Sequence, residues 1–210
     1  MKLGVINARF NKSFLNDREP EMKIFSIDSS NPNLSISLYQ ADQSCFLASE
    51  DSKAKSSSLM PMVQHLFDSV NLKPQDIDLL VCNIGPGSFT GIRTAVTLVK
   101  TIAAELDLQI FVTNNFELIR FENELASDAP IAIQAGKNDY FISLDSDWNN
   151  IKTNFYATEL GSVELYKFQE KNISKLSIEK YLLAEQVLFG YKELEPYYLR
   201  EPSIGVKKTS

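Results

Sequence analysis

The stretch from Ile77 to Ile84 is apolar almost without interruption, and it runs straight into Gly85-Pro86-Gly87-Ser88. A strand that is oily on both faces has to be covered on both, so it belongs at the centre of a sheet rather than at an edge. That element makes an α/β fold the expectation, and the flanking segments supply the remaining parts. Ahead of it, Ile24-Phe25-Ser26-Ile27 reads as a buried strand, Asp28 to Asn33 as a turn, and Leu34-Ser35-Ile36-Ser37-Leu38 as a period-two strand. Asp42-Gln43-Ser44 then turns the chain into Cys45-Phe46-Leu47-Ala48, giving three short antiparallel strands.

Two helices flank the central strand. The first is expected to take Ser57 or Ser58 as its cap, to carry Pro61 in its first turn, and to run to about Val70. Leu59, Met62, Val63, Leu66 and Val70 form its core stripe. Met60 and Phe67 flank that stripe, and the apolar arc of roughly 160° is wider than one core face demands. The second helix, Thr90 to Leu106, has Ile92, Val96, Val99, Ala103 and Leu106 on one stripe, widened by Ala95, Leu98 and Ile102. Arg93, Thr94, Thr97, Lys100 and Thr101 lie opposite. With Gln109 to Val112 as a further strand, residues 22–113 have the order βββαβαβ of a ribonuclease-H-like lobe.

The second half repeats part of this pattern. A helix at Phe116 to Leu125 precedes strands at Ile131-Ala132-Ile133 and Tyr140 to Leu144, joined across Gly136-Lys137-Asn138-Asp139, with a third strand at Asn154 to Thr158. A second meander after the first lobe suggests duplication of the actin-like kind, so residues 114–210 read as an abbreviated second lobe with a C-terminal tail. Residues 1–21 show no clear periodicity and read as a dispensable, disordered extension, with Met22 as an alternative start.

Composition narrows the function classes. The 210 residues carry 27 acidic against 21 basic side chains, a net charge of -6. Such an average field repels a phosphate backbone, so unaided RNA binding is disfavoured. The basic tail Val206-Lys207-Lys208 reads as a solvated terminus. No run approaches the roughly 20 apolar residues of a membrane span, and the first residues lack an apolar signal core, so a soluble, non-exported protein is expected. Cys45 and Cys82 form no CxxC pair, which fits a reducing compartment.

Catalytic side chains are scarce. The glycine turn Gly85-Pro86-Gly87-Ser88-Phe89-Thr90-Gly91 sits between a strand and a helix, where backbone N–H groups welcome an anion. Its spacing is neither that of a dinucleotide fingerprint nor that of a P-loop, so both a tight structural corner and a phosphate cradle fit it. Asp28-Ser29-Ser30 ends the first strand either as a capped turn or as an acid and hydroxyls near a nucleotide and its metal. A two-metal nuclease needs converging carboxylates, and Cys82-Asn83-Ile84 offers none. His65 is the single histidine and falls outside the apolar arc, so no multi-histidine metal site can be built. Cys82 reads as a core residue rather than a nucleophile.

The run Gly85-Pro86-Gly87-Ser88-Phe89-Thr90-Gly91-Ile92-Arg93 resembles the signature of the TsaB family, also called YeaZ. Ile24 to Ser30, Leu59-Met60-Pro61-Met62-Val63 and Glu195-Pro196-Tyr197-Tyr198-Leu199-Arg200 are similar to that family in the same order. The resemblance implies a non-catalytic member of the actin-like (ASKHA) ATPase superfamily that pairs with the catalytic subunit TsaD and works with the ATPase TsaE. TsaD transfers threonylcarbamoyl from its adenylate to the adenosine beside the anticodon of tRNA, which this chain would meet only through the complex, in the cytoplasm. Homodimers are also implied, with the two first-lobe helices as the contact surface. The partner-facing residues would be Met60, Val63, Phe67, Arg93, Thr94, Thr97 and Thr101. Any nucleotide contacts would fall on Asp28, Ser29, Gly85, Gly87 and Ser88. No intrinsic cofactor or metal is expected, ATP or ADP with Mg entering only at the level of the complex.

Two departures weaken a ligand role. Lys55-Ser56 stands where relatives carry His-Ser, and Ile133-Gln134-Ala135-Gly136 stands where they carry Ile-Asp-Ala-Arg. The alternative reading is a small actin-like phosphotransferase or acyltransferase working through Asp28 and the glycine turn. A direct RNA-binding module is weaker still, given the acidic balance.

Overall fold

A computed structural model describes residues 4–7, 22–40, 43–49, 55–147, 150, 152–169, 173–183 and 188–200. The strands are Gly4–Asn7 (β1), Lys23–Asp28 (β2), Leu34–Gln40 (β3), Gln43–Ser49 (β4), Leu79–Asn83 (β5), Ile110–Thr113 (β6), Ile131–Gln134 (β7), Tyr140–Ser143 (β8), Asn154–Ala157 (β9), Leu165–Tyr166 (β10) and Leu188–Phe189 (β11). The α-helices are Lys55–Ser69 (α1), Phe89–Leu106 (α2), Asn115–Glu122 (α3) and Ile173–Leu183 (α4). Among the described residues the strands form a seven-stranded sheet, β1-β4-β3-β2-β5-β6-β11, and a four-stranded sheet, β10-β7-β8-β9. The mixed α/β class and the βββαβαβ order of the first lobe stand as expected.

β5 is central, parallel to β2 on one side and to β6 on the other. Its two faces bury different residues, as period-two alternation requires. Leu80 and Cys82 join Phe25, Ile27, Ile36 and Leu38 beneath α1 and α2. Leu79 and Val81 join Ile24, Tyr39 and Phe111 beneath Ile178 and Tyr181 of α4. Tyr181 meets Phe111 edge-on at 5.2 Å between ring centroids. α3 lies between α4 and the smaller sheet, sending Leu118 towards Ile173 and Leu176 and sending Phe116 and Ile119 towards Ile131 and Phe141.

Several expectations need correction. Residues 4–7 are a strand paired antiparallel with β4, not part of a structureless extension. Pairing at a sheet edge uses backbone groups alone, so a four-residue strand leaves no periodic trace. The rest of residues 1–21 lies outside the described residues, as do the tail Val206-Lys207-Lys208 and the side chains of Lys55 and Ser56. Pro61 stands inside α1 rather than in its first turn, because the helix begins at Lys55. It removes one backbone donor, while the apolar face of Leu59, Met62 and Leu66 holds the helix on the sheet.

The division at residue 113 is crossed as well, because α4 and β11 return to the first sheet. Helix α4 escapes sequence patterning for a physical reason. Its sheet-facing side buries Ser174 and Ser177, both 0% exposed, which read as solvent-facing positions in a hydrophobic count. Ser174 Oγ lies 2.6 Å from Ser37 Oγ, and Ser177 Oγ lies 3.1 Å from Thr113 Oγ1. Small hydroxylated residues on both sides let the helix approach closely while satisfying each other's polar atoms. No helix among the described residues is long and apolar enough to cross a membrane.

Truncating Ile178 to alanine should cost about 2–5 kcal/mol in urea unfolding, since a fully buried side chain between α4 and the sheet leaves a cavity. Met60→Ala, at an exposed position of α1, should change stability by less than about 0.5 kcal/mol.

Candidate functional site

The polar centre of the molecule lies where β2 and β5 end side by side. Ile27 is in register with Cys82, so the next residues, Asp28 and Asn83, come level and project from the same face. Asp28 is fully buried. Its carboxylate accepts hydrogen bonds from Ser30 Oγ at 2.8 Å, from Asn31 Nδ2 at 3.3 Å and from Asn83 Nδ2. Asn83 Nδ2 also donates to Asn115 Oδ1 at 2.7 Å, and Asn115 Nδ2 donates to Ser30 Oγ at 3.0 Å and to the Pro86 carbonyl at 2.7 Å. The buried carboxylate is thus held by neutral donors from two chain segments, and Asn115 ties in a third.

The glycine turn closes over this centre. Gly85 adopts φ +109°, a conformation that side chains rarely tolerate, and a Cβ there would press on Ile92 and the Tyr197 carbonyl. At Gly87 and Gly91 the reason is proximity. A Cβ at either would lie well inside 3.0 Å of the Ser30 or Ser29 carbonyl oxygen respectively. The Ser88 N–H donates to the Ser30 carbonyl at 2.7 Å, and Ser88 Oγ caps α2 by accepting from the Gly91 N–H at 3.3 Å. The start of α2 therefore faces carbonyl oxygens of the chain itself, in the place where a phosphate cradle would present open N–H groups.

Of the residues expected to touch nucleotide, Asp28, Ser29, Gly85, Gly87 and Ser88 do come together, and they pack against one another. Asn83, noted in the sequence for lacking a carboxylate, and Asn115, which drew no attention there, complete the cluster. Only their register beside Asp28 reveals them. The Gln134 to Gly136 turn of the smaller sheet is likewise self-contained, the Asp139 carbonyl accepting from the N–H groups of Ala135 and Gly136. Among the described residues no group of three or more His, Cys, Asp or Glu side chains is placed to hold a metal ion. Burial, and then the nearby Asp28, push the Cys82 thiol far above its ordinary range, and His65 is exposed on α1.

The expected partner surface divides. Val63 and Phe67 are 6% and 4% exposed and belong to the core, Phe67 packing on Phe25 at 5.7 Å. The broad apolar arc of α1 is thus spent on a helix wedged between sheet and neighbouring helix, and these two residues leave the candidate interface. Met60 stays outside, 58% exposed. On α2, Arg93, Thr97 and Thr101 are exposed and Thr94 is half-buried, along one helical stripe. Thr94 and Thr101 donate their hydroxyls to the carbonyls of Thr90 and Thr97, each at 2.8 Å. Bonded back in this way, threonines offer methyl groups at little rotameric cost.

The C-terminal segment borders this stripe. Tyr198 stacks on Phe89 at 4.6 Å, Arg93 lies 5.3 Å from the other ring's centroid, and Lys100 pairs with Glu195 at 2.8 Å. The Tyr197 N–H donates to the Ile84 carbonyl, while its ring meets Phe116 edge-on. Leu199 packs on the smaller sheet's core, and Arg200 reaches Asp139 at 3.9 Å. Residues 195–200 therefore strap both lobes together.

The family model described as TsaD, tRNA N6-adenosine threonylcarbamoyltransferase, matches residues 41–174. The chain is 37% identical over 99 residues to the Bacillus subtilis protein named tRNA threonylcarbamoyladenosine biosynthesis protein TsaB, covering 47% of this chain and 43% of that one. It is 22% identical over 156 residues to the protein of the same name from Buchnera aphidicola, covering 72% and 71%. The chain belongs to that family, as a TsaB/YeaZ-type member. The alignments take in less than two thirds of some of these relatives, 43% of the Bacillus subtilis protein and 53% of the Haemophilus influenzae TsaB. YeaZ from Pseudomonas aeruginosa has the same fold, with a TM-score of 0.60 at 16% identity over 85% of this chain and all of that one. A further solved structure, described as similar to peptidase YeaZ from Pseudomonas aeruginosa, gives 0.61 at 17% identity over the same shares.

Gly91→Ala should destabilise this TsaB-type fold by at least about 3 kcal/mol in urea unfolding, because the backbone of Ser29 cannot retreat without breaking the cluster around Asp28. In a Cys45→Ser background the Cys82 thiol should stay unreactive towards a thiol reagent at pH 8 until the protein is denatured. Labelling of the native protein would contradict its burial.

Proposed function

We propose that the chain is a non-catalytic subunit required for threonylcarbamoylation of the adenosine next to the anticodon in tRNA, and that it acts in the cytoplasm by binding and supporting a TsaD-type catalytic subunit. One observation carries the reading. The backbone of Ser29 and Ser30 fills the junction of strand and helix where an actin-like protein would seat nucleotide phosphate, while the outer stripe of α2 stays open. A reactive centre is replaced by internal packing, and a surface is left over.

That surface suits a partner. The back-bonded threonines form a flat, weakly polar patch with little entropy to lose on association, and Arg93 over the Phe89–Tyr198 stack provides an aromatic and cationic anchor at its end. Met60 adds an exposed thioether on the neighbouring helix. A TsaB-type homodimer would use the same stripe and so compete with the heterodimer. The net charge of -6 supports contact with tRNA through the partner rather than directly. A TsaE-type ATPase would join the assembled pair, and any ATP or ADP with Mg would bind at that level.

Coexpression with the TsaD of the same organism should give a complex that survives purification. Met60→Asp and Thr97→Arg, both at exposed positions, should each weaken it at least tenfold, about 1.4 kcal/mol, with unchanged thermal stability. Calorimetric titration of the isolated chain with Mg-ATP should show no tight binding. Tight binding with turnover that Asp28→Ala abolishes would instead favour the phosphotransferase or acyltransferase.

A further inference from the structure

A cavity of about 300 Å³ opens away from the α2 stripe, lined by Glu117, Arg120, Phe121 and Leu125 of α3 and its following turn, by Ser127 and Ser146, and by Lys180 of α4. That volume is at the small end of natural ligand sites, enough for a compact molecule of several heavy atoms. Its chemistry is uneven. Lys180 and Glu117 offset each other at 3.4 Å. Arg120 has no such partner. It is 4% exposed, and among the described residues no carboxylate stands within ion-pair distance of it.

The guanidinium is held rather than loose. Nε donates to the Ala129 carbonyl at 3.0 Å and Nη2 to Ser143 Oγ at 2.7 Å, which fixes the plane of the group and leaves Nη1 without a protein acceptor. Burial pulls the Arg120 guanidinium below its ordinary value, and the more distant acids Glu117, Asp145 and Asp128 pull it back up. An arginine keeps its charge across such shifts, so a cation with a donor left over lines a small, partly open cavity.

We propose that this cavity binds a small monocarboxylate carrying a short apolar chain, with Arg120 Nη1 donating to the carboxylate and Phe121 and Leu125 receiving the hydrocarbon. A single negative charge is favoured over phosphate, because Glu117, Asp128 and Asp145 already act on the guanidinium and would repel a dianion more strongly. The site lies between α3 and α4, two helices that tie the smaller sheet to the larger one. Occupancy would stiffen that junction without touching the α2 stripe.

The probes are sodium acetate, sodium butyrate and inorganic phosphate, titrated into the full chain at constant ionic strength and followed by calorimetry and by thermal shift. Butyrate should bind saturably with one-to-one stoichiometry, roughly tenfold more tightly than acetate because two further methylenes are buried. Phosphate should bind more weakly than butyrate. Arg120→Lys should reduce butyrate affinity at least tenfold. Since a change at a buried site can disturb folding, Ser146→Trp provides a second test: the residue is exposed at the rim, and an indole there should block entry while the melting temperature without butyrate is kept. Absence of saturable butyrate binding, phosphate binding as tightly as butyrate, or butyrate affinity unchanged in both variants would overturn the assignment.

Discussion

Everything around the polar centre depends on two backbones meeting with no side chain between them. The turn after β2 presses the Ser29 and Ser30 carbonyls against Gly91 and Gly87, closer than any Cβ allows. That approach fixes the angle at which α2 leaves β5, and with it the placement of the outer stripe. The same glycines thus serve packing, and the turn forms a seam between the two segments.

Asp28 makes the seam specific. A buried carboxylate surrounded by Asn83, Ser30 and Asn31 tolerates few rearrangements, because each displaced donor would leave charge unanswered in a dry site. Asn115, at the start of α3, carries the network from the larger sheet to the segment that leads into the smaller one. Residues 195–200 add a second connection, with Tyr197 on β5's end and Leu199 on the smaller sheet's core. Burial, and then Asp147 and Asp145, push the Tyr197 phenol up, so that link is a neutral one. The lobes are joined at both places by short-range contacts.

The helices show how one pattern can carry two meanings. A wide apolar arc on α1 suggested surplus oily surface, but Phe67 lies against Phe25 and Val63 beneath the helix, because a helix lodged against both a sheet and a neighbouring helix is buried over more of its circumference. The open surface is on the polar side of α2, where threonine hydroxyls turn back to the helix. Sequence patterning placed Arg93, Thr97 and Thr101 on the outside and Thr94 at the edge of the same stripe, where it is half-buried, since their spacing sets their direction.

The sequence by itself determined the elements with strong periodicity: the βββαβαβ order, the central position of β5, the glycine turn and the family to which its residues point. These rest on local rules, in which neighbours along the chain decide the outcome. The tertiary structure alone decided that Asp28 meets Asn83 and Asn115, that α4 and β11 return to the larger sheet, and that Arg120 stands unpaired beside a cavity. Each depends on strand register or on the meeting of distant segments, where free energy is set by which polar atoms are matched after water is excluded, and no one-dimensional pattern contains that.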